Sequence, residues 1–283
     1  MTEAIARLTG LRSQLQRWRS AGQSVALVPT MGNLHDGHLA LVREAANRAD
    51  RVVASIFVNP TQFGPNEDFA AYPRTLHADL EALKDAGCDG AWVPETDQVY
   101  PTDTPFLVRV PAVLADTLCG RFRPGHFDGV ASVVLRLFNQ VQPDVAVFGE
   151  KDFQQLLIIR RMVQDLSLPI TIVGVPTLRD ADGLALSSRN QYLSEKERAQ
   201  APWLHKVLTE LADGLGAGRD WSVMHEEALW RLEQTGFRVD YLAWCSADDL
   251  GAPKPDAPQR LLVAARLGKA RLIDNIPVEA ARR

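Results

Sequence analysis

Short apolar runs alternate with longer helical patterns over the first two thirds of the chain. The strand-like runs occupy residues 24–30, 51–60, 91–95, 144–150 and 170–177. Patterns with apolar residues three and four positions apart, typical of helices, lie at residues 38–49, 77–87 and 152–166. Strands that are apolar along nearly their whole length are expected where helices cover both faces of a parallel sheet. The pattern therefore predicts an α/β fold of that kind.

The pattern changes after about residue 178. Beyond a polar loop, helical stretches and strand-like runs follow at residues 194–215, 221–236, 237–245 and 260–268. Helices and strands segregated in this way are typical of an α+β domain. We therefore divide the chain into a larger α/β domain, 1–177, and a smaller α+β C-terminal domain, 178–283.

The composition is that of a globular protein with a sizeable core. The 283 residues are 46% apolar and 23% charged, and the formal net charge is -4 with a pI near 5.9. This charge gives no general attraction for nucleic acid or for an anionic membrane surface. We therefore expect neither as a partner, and an anionic substrate needs local basic groups.

The cysteines and the N-terminal segment bear on the compartment. Cys88, Cys119 and Cys245 are odd in number and widely spaced, which argues against both a disulfide framework and a C-x-x-C metal motif. The N-terminal segment is charged and helix-patterned, and no apolar run approaches membrane-spanning length. These features predict a cytoplasmic protein.

The densest polar clusters directly follow predicted strands. They are PTMGNLHDGH (29–38), NPTQFGPNEDF (59–69), GEKD (149–152) and PTLRDADGLALSSRN (176–190). Ligands of open parallel sheets bind beyond the carboxyl ends of the strands, so these clusters are expected to form the functional site. No P-loop and no G-x-G-x-x-G motif follows a strand, which argues against a P-loop kinase or a Rossmann dehydrogenase, and no G-x-S-x-G nucleophile elbow occurs.

The His-x-x-His pair, His35 and His38, stands between a strand and a helix that begins near Gly37. Unpaired amides and the helix dipole favour anions at such a helix start, and Gly32 and Gly37 allow close backbone approach to a ligand. Bare pairs of this spacing are often incidental, and some bind metal. A structural zinc would want further Cys or His ligands nearby in the sequence, and there are none. The position therefore favours a phosphate-binding role.

Other basic residues in the clusters are further candidates for phosphate binding. Lys151 follows a strand directly and is suited to neutralising charge in a transition state. Ser187, Ser188 and Arg189 lie in a loop that begins with Gly183, a composition suited to closing over phosphates. Residues 120–130 carry three more basic side chains, Arg121, Arg123 and His126, for which a phosphate-binding role and a solvated surface remain equal alternatives.

Two amides and one carboxylate complete the candidates. Gln62 and Gln155 suit a hydroxy acid or an amine, which they would hold by neutral hydrogen bonds. Asp79 is predicted to begin a helix, where it is either an N-cap or a partner of Mg²⁺ when phosphates are present.

Taken together, these segments resemble the pantoate–β-alanine ligase (pantothenate synthetase) family, within the nucleotidyltransferase-like Rossmann superfamily. The resemblance covers residues 29–193 and consists of PTMGNLHDGH, SIFVNPTQFGPNEDF, AYPRT, GRFRPGHFDGV, FGEKDFQQL and DGLALSSRNQYLS in that order. It implies a Rossmann-like domain that binds nucleotide and pantoate, 1–177, and a lid domain, 178–283.

The resemblance also implies a two-step reaction of the coenzyme A pathway. Pantoate attacks the α-phosphate of ATP to give pantoyl adenylate and pyrophosphate, and β-alanine then displaces AMP to give pantothenate. Mg²⁺ accompanies ATP, and a homodimer is the expected assembly. Two alternatives are a nucleotidyltransferase that stops at a transferred nucleotide, and an ATP-binding regulatory module without activity. The two glutamines argue against the first, and the complete basic set argues against the second.

The resemblance assigns roles to individual residues. Nucleotide contacts are implied for Met31, Gly32, Asn33, Leu34, His35, Asp36, Gly37, His38, Gly149, Glu150, Lys151, Asp152, Leu178, Leu186, Ser187, Ser188 and Arg189. Catalytic roles are implied for His35, His38, Lys151 and Arg189, with His38 as the proton donor. Gln62 and Gln155 hold pantoate, Gln62 also lies near β-alanine, and Asp79 is the metal candidate. Asn33, Asp36 and Leu186 replace the common Ala, Glu and Met, and the consequence of Asn33 is the hardest to predict.

Overall fold

The computed structural model describes residues 3–65, 67 and 69–278. Residues 1, 2 and 279–283 lie outside the described residues, as do Asn66 and Asp68 of the motif at 59–69. The chain forms two compact units, Met1–Glu150 with Ile158–Pro176 and Lys151–Leu157 with Thr177–Arg283. The segment Lys151–Leu157 therefore groups with the C-terminal residues, although it precedes the boundary predicted after residue 177. That 1–177 and 178–283 act as separate functional domains stays a prediction.

The first unit is built on a six-stranded parallel sheet in the order β1-β4-β3-β2-β5-β6. Its strands are β1 (Glu3–Ile5), β2 (Val25–Thr30), β3 (Arg51–Ile56), β4 (Gly90–Trp92), β5 (Val145–Gly149) and β6 (Thr171–Val175). Its helices are α1 (Leu8–Ser20), α2 (Asp36–Ala46), α3 (Leu76–Asp85), α4 (Thr96–Val99), α5 (Ala112–Ala115), α6 (Cys119–Phe122) and α7 (His126–Val141). Helix α8 (Phe153–Asp165) begins in the second unit and continues into the first. The predicted α/β class with a Rossmann-like parallel sheet is confirmed.

Strand β2 shows why the apolar pattern predicts this fold. Ala26 and Val28 belong to a buried cluster with residues of α2 and α3. Val25 and Leu27, which alternate with them, are equally inaccessible and point to the opposite face, where α7 packs against β2. Because both faces are covered, every side chain from Val25 to Val28 is apolar and buried.

The order of the strands places β2 next to β5. The connection through α2 leads from β2 to β3 on one side, whereas β5 lies on the other side. The direction of the crossovers therefore changes between β2 and β5, and such a switch point leaves a crevice at the carboxyl ends of the two strands. The segments that leave this crevice are the turn after Thr30 and the residues Gly149 and Glu150.

The second unit packs two of its helices, Trp203–Gly216 and Trp221–Gln234, against a three-stranded antiparallel sheet of order β7-β8-β9. Its elements are α9 (Glu195–Gln200), α10 (Trp203–Gly216), α11 (Trp221–Gln234), β7 (Arg238–Ser246), β8 (Gln259–Leu267) and β9 (Ala270–Val278). The stretch predicted as one helix at 194–215 is two helices, because Pro202 has no amide hydrogen to continue the first. The α+β prediction for this part is confirmed.

Two strands are not predicted by the hydrophobic pattern. β1 has only three residues, and the charged segment that contains it reads as helical. β9 carries Asp274 and Asn275 in its middle, and both are buried. Polar residues at buried positions interrupt the apolar pattern. The hydrogen-bond partners that compensate for their burial lie elsewhere in the sequence. In the part of the chain that the structure describes, no helix is long and apolar enough to cross a membrane.

Candidate active site

The turn between β2 and α2 has an unusual backbone. Gly32 has φ 79° and Asn33 has φ 50°, so two successive residues lie in the left-handed region. Glycine adopts this region without cost, and asparagine tolerates it better than most residues. The Gly32 amide donates to Thr30 Oγ1 at 3.2 Å. This conformation suits Asn33, because asparagine tolerates positive φ better than alanine does.

Asp79 holds the same turn from α3. Its carboxylate oxygens accept hydrogen bonds from the amides of Asn33, at 3.0 Å, and Leu34, at 2.8 Å. Thr75 Oγ1 donates to the same group at 3.1 Å, and Asp79 is 3% exposed. The prediction that Asp79 begins its helix was wrong. Thr75 is the N-cap and α3 starts at Leu76, so Asp79 lies within the first turn with its carboxylate directed at the β2–α2 turn.

His35 and His38 form a reciprocal cap at the start of α2. His35 is the N-cap, and its Nδ1 accepts from the Gly37 amide at 3.1 Å, while His38 Nδ1 accepts from the His35 amide at 3.3 Å. The ring centroids are 4.1 Å apart. A ring nitrogen that accepts a hydrogen bond carries no proton, so each neutral imidazole has its proton on Nε2. Both rings are therefore fixed as Nε2–H donors at the positive end of a helix, an arrangement suited to an anion.

Gln62 lies on a one-turn 3-10 helix, Pro60–Gln62, after β3. Its Oε1 accepts from Asn59 Nδ2 at 3.0 Å, and its Nε2 contacts Met31 Sδ at 2.9 Å. Asn59 is 1% exposed and also accepts through Oδ1 from Thr61 and Tyr100. Met31 and Gln62, which the sequence places in separate clusters, are thus in contact.

Helix α7 approaches this turn so closely that only glycine fits. A Cβ on Gly129 would lie 2.3 Å from the carbonyl oxygen of Thr61 and 2.8 Å from the amide nitrogen of Gln62. The Gly129 carbonyl accepts from Asn59 Nδ2 at 3.2 Å. The turn that carries Gln62 is therefore fixed against the helix backbone, and the glycine of the HFDGV sequence serves this contact.

The basic residues of the 120–130 segment have protein partners. Arg123 forms two hydrogen bonds to the carboxylate of Glu67, at 2.6 and 2.5 Å. Burial raises the pKa of Glu67, but hydrogen bonding and charge from Arg123 outweigh it, so the pKa lies below its usual range. Arg123 Nη1 also donates to His126 Nε2 at 2.8 Å, and His126 Nδ1 donates to the Gln62 carbonyl at 2.7 Å. Arg121 is exposed on α6. These contacts favour a structural role for Arg123 and His126, in which the two side chains support the main chain at Gln62.

Lys151 and the serine-rich loop meet within the second unit. Lys151, Ser187 and Asn190 line one small cavity together with Asp274 of β9. The Lys151 ammonium is 3.8 Å from Asp152 Oδ2. Ser187 Oγ accepts from the Arg189 amide at 3.3 Å, and Asn190 Nδ2 donates to the Ala185 carbonyl at 3.1 Å, so the loop is tied to itself.

The remaining predicted residues have defined places as well. Leu186 donates its amide to the Leu178 carbonyl at 2.9 Å, which joins the two ends of the loop. Leu178 is exposed, and Gln155 is half-buried in the first turn of α8. Gly149 is the last residue of β5, and Glu150 begins the one-turn 3-10 helix Glu150–Asp152 that follows it.

Sequence reasoning missed several polar residues that support the candidate site, all of them buried except Thr75, which is exposed. They are Asn59, Thr75, Tyr100, Asp274 and Asn275. Asn59 is the first residue of the motif NPTQFGPNEDF, 59–69. Its position next to an apolar run could have identified it as a residue of the site. Asp274 pairs with Arg179 through two hydrogen bonds of 2.6 and 2.8 Å, a contact between residues that no sequence pattern connects.

The described residues show no clustered metal ligands, and two of the cysteine thiols are hard to ionise. Within residues 3–278, leaving aside 66 and 68, no group of three or more His, Cys, Asp or Glu side chains is placed to hold a metal ion. Burial raises the pKa of Cys88 to about 12 and that of Cys245 to about 11, so neither thiol ionises readily at neutral pH. The β2–α2 turn of the first unit thus offers imidazoles at a helix start, and the cavity of the second unit offers a lysine and a hydroxyl. Both sets of groups are suited to binding anions in an α/β protein.

The chain belongs to the pantoate-beta-alanine ligase family. The family model "Pantoate-beta-alanine ligase" matches residues 3–277. A pantothenate synthetase of Xanthomonas oryzae pv. oryzae is 54% identical over 279 residues, which cover 98% of this chain and 99% of the relative. The resemblance identified from the motifs is confirmed, and the match extends through the second unit.

Solved structures agree with this family. Pantothenate synthetase from Thermus thermophilus superposes with a TM-score of 0.92 at 46% identity, over 98% of this chain and 99% of that one. Pantoate-beta-alanine ligase from Francisella tularensis, complexed with beta-gamma ATP and beta-alanine, gives a TM-score of 0.84 at 32% identity, over 98% of both chains.

The left-handed turn leads to a first prediction, about Asn33. Replacing Asn33 by Ala should lower the free energy of unfolding by about 1 kcal/mol, because Ala tolerates positive φ less well. Asn33→Gly should cost less than Asn33→Ala, since glycine adopts this conformation readily. Urea unfolding followed by fluorescence measures both variants. Equal stability of Asn33→Ala and the unsubstituted protein would contradict this account of the turn.

Proposed function

We propose that this chain condenses (R)-pantoate with β-alanine to form pantothenate, using ATP and passing through pantoyl adenylate, with release of AMP and pyrophosphate. The observation that carries the proposal is the reciprocal cap of His35 and His38 at the switch point of a parallel sheet, in a member of this ligase family. The structure of the Francisella relative with beta-gamma ATP and beta-alanine supports ATP and β-alanine as substrates.

The first step needs charge neutralisation more than acid–base chemistry. The pantoate carboxylate attacks the α-phosphate, and negative charge increases on the pyrophosphate that leaves. The Nε2–H groups of His35 and His38, at the positive end of α2, are suited to donate to those oxygens. Residues 31–38 would contact the nucleotide, and His38 is the proposed proton donor.

The second unit carries the other proposed phosphate-binding residues. Lys151 is the proposed ligand of the phosphates, with Gly149 to Asp152 as the nucleotide-binding segment. Leu186, Ser187, Ser188 and Arg189 form the proposed phosphate loop, and Leu178 is the proposed adenine contact. The shared cavity of Lys151 and Ser187 supports a joint action of the lysine and the loop.

Gln62 and Gln155 are the proposed pantoate ligands, and Gln62 also serves β-alanine. Gln62 is suited to this role because its main-chain carbonyl accepts from His126 and its Oε1 accepts from Asn59. Its Nε2 contacts the sulfur of Met31, which is a weak acceptor. A substrate hydroxyl or carboxylate oxygen would be a stronger partner for that amide group.

Mg²⁺ is proposed as the ion that accompanies ATP. Mg²⁺ usually retains several waters and binds through substrate phosphates with one or two protein carboxylates. The Asp79 carboxylate, which lies against the β2–α2 turn, would supply one such group. Asp79 is the proposed protein ligand. The ion would stabilise charge on the phosphates of ATP.

A homodimer in the cytoplasm is proposed as the working form. Exposed apolar side chains concentrate between residues 106 and 122, among them Phe106, Leu107 and Val113. The amides of Val108 and Val110 donate to Ser132 and Asp128 of α7. Alternate amides of this segment thus face α7, and its other edge is suited to antiparallel pairing with the same segment of a second copy.

The reaction is tested by its products. Purified protein with ATP, pantoate and β-alanine should yield AMP, pyrophosphate and pantothenate, and formation of ADP would overturn the proposal. Lys151→Ala and His38→Ala should each lower turnover at saturating ATP by roughly 10²–10³-fold, the scale of a lost electrostatic donor. His77→Ala is the matched control, because that histidine side chain is 92% exposed on α3. Near-normal turnover in either active-site variant would remove that residue from the mechanism.

The metal role of Asp79 is tested by titration. Chelation of Mg²⁺ should stop AMP formation, and Asp79→Asn should raise the half-saturating Mg²⁺ concentration by about 10-fold. Thr75→Val is the control, because it removes one hydrogen bond to Asp79 and retains the carboxylate. Reduced stability of Asp79→Asn with an unchanged Mg²⁺ requirement would assign Asp79 to the turn alone.

Sedimentation equilibrium tests the assembly. The unsubstituted protein should sediment as a dimer, and Phe106→Glu should shift it toward the monomer by burying a charge in the interface. Val223→Glu is the control, because Val223 is an exposed apolar residue of α11 outside the proposed interface. A monomeric unsubstituted protein, or a Phe106→Glu variant that stays dimeric, would contradict the proposed interface.

A further inference from the structure

Two buried polar residues of the C-terminal sheet connect to the backbone of Lys151. Asn275 on β9 is 5% exposed, and its Nδ2 donates to the Lys151 carbonyl at 2.9 Å. Arg260 on β8 is 8% exposed, and its Nη1 donates to Asn275 Oδ1 at 2.6 Å. Asn275 is registered opposite Leu262 and Arg260 opposite Pro277, so the two polar residues are diagonal neighbours across the sheet. A chain of two hydrogen bonds thus runs from the Arg260 guanidinium through the Asn275 side-chain amide to the Lys151 carbonyl.

The same arginine also contacts the residue that begins α8. The Arg260 guanidinium carbon is 4.0 Å from the ring centroid of Phe153, which is 7% exposed. This cation–π contact and the bond from Asn275 act on positions two residues apart. The one-turn helix Glu150–Asp152, which carries Lys151, is therefore restrained at the Lys151 carbonyl and at Phe153, the residue that follows it.

Restraint of this turn matters because of the chemistry of lysine. Its ammonium is carried on a four-carbon stem with many rotamers, so its position depends on where the backbone is held. The Lys151 side chain is 20% exposed and lines the cavity that it shares with Ser187. A shift of about 1 Å in a group that orients a reacting phosphate reduces rates by up to 10²-fold.

We propose that Asn275, itself oriented by Arg260, is a positioning residue for Lys151 in the ATP-dependent step. The inference rests on the proposed function, because it requires Lys151 to act on the phosphates. Asn275 touches the main chain of the lysine and acts through it. Loss of its donor group should affect the step that uses Lys151, while binding of β-alanine should be unchanged.

The variant Asn275→Asp separates the two contacts of this side chain. A carboxylate keeps the acceptor for Arg260 and removes the donor to the Lys151 carbonyl. We expect kcat for pantoate-dependent pyrophosphate release to fall about 10- to 100-fold with an unchanged KM for β-alanine. Arg271→Gln is the matched control, because Arg271 is also on β9 and pairs with Asp240 at 2.7 Å through side chains that are 14% and 9% exposed. The control should retain the kcat of the unsubstituted protein.

A double-mutant cycle separates positioning from general damage to the fold. In a Lys151→Ala background, Asn275→Asp should have little further effect, because the group that it positions is gone. An equal fold-loss in both backgrounds, or a normal kcat for Asn275→Asp, would overturn the inference. If Asn275→Asp does not fold, Arg260→Lys replaces it, since lysine keeps a cation near Phe153 and lacks the guanidinium fork. It should show the same dependence on Lys151, and a loss that persists without Lys151 would likewise overturn the inference.

The same measurements distinguish this inference from the proposed function. An unsubstituted protein that releases no pyrophosphate with pantoate would refute the function itself. An active protein that needs Lys151 but tolerates Asn275→Asp would refute only the positioning role.

Discussion

The backbone amides between β2 and α2 impose the constraint on which the site depends. A helix start leaves amides without partners inside the helix, and the left-handed turn before α2 adds two more. Asp79 accepts from Asn33 and Leu34, and the two histidines accept from Gly37 and His35. Because the imidazoles satisfy backbone donors through Nδ1, their Nε2–H groups are oriented without any help from substrate. Folding of this turn therefore also orients the two imidazoles that are the proposed phosphate donors.

A second feature is that basic residues near the motifs have different roles. The protein is acidic overall, and several basic residues near the motifs are bound to other protein groups. Arg123 is paired with Glu67, and with His126 it supports the main chain of Gln62. Arg179 is paired with Asp274. Arg123 and Arg179 thus restrain neighbouring segments, whereas His35, His38, Lys151 and Arg189 are the proposed phosphate ligands.

Support for functional side chains comes repeatedly from buried polar residues. Asn59 fixes the turn of Gln62, and Asn275 bonds to the carbonyl of Lys151. Both asparagines are nearly inaccessible, and a buried amide is costly unless its hydrogen bonds are made. Because hydrogen bonds require particular distances and directions, such groups restrict the backbone to one arrangement more strictly than apolar packing does. Rigid support of this kind suits a reaction whose catalysis is mainly alignment and electrostatics.

The sequence by itself determined the parallel α/β sheet, the change of architecture near residue 178, the family, and the clusters that follow β2, β3 and β5. These signals are local, because apolar periodicity and contiguous motifs are read within one segment. The tertiary structure decided which donor satisfies which acceptor. Asp79 holds a turn 45 residues away, Glu67 pairs with an arginine 56 residues away, and Asn275 bonds to a carbonyl 124 residues away. A sequence shows the type of each polar group, whereas its partner is fixed only when packing brings distant segments within hydrogen-bonding distance.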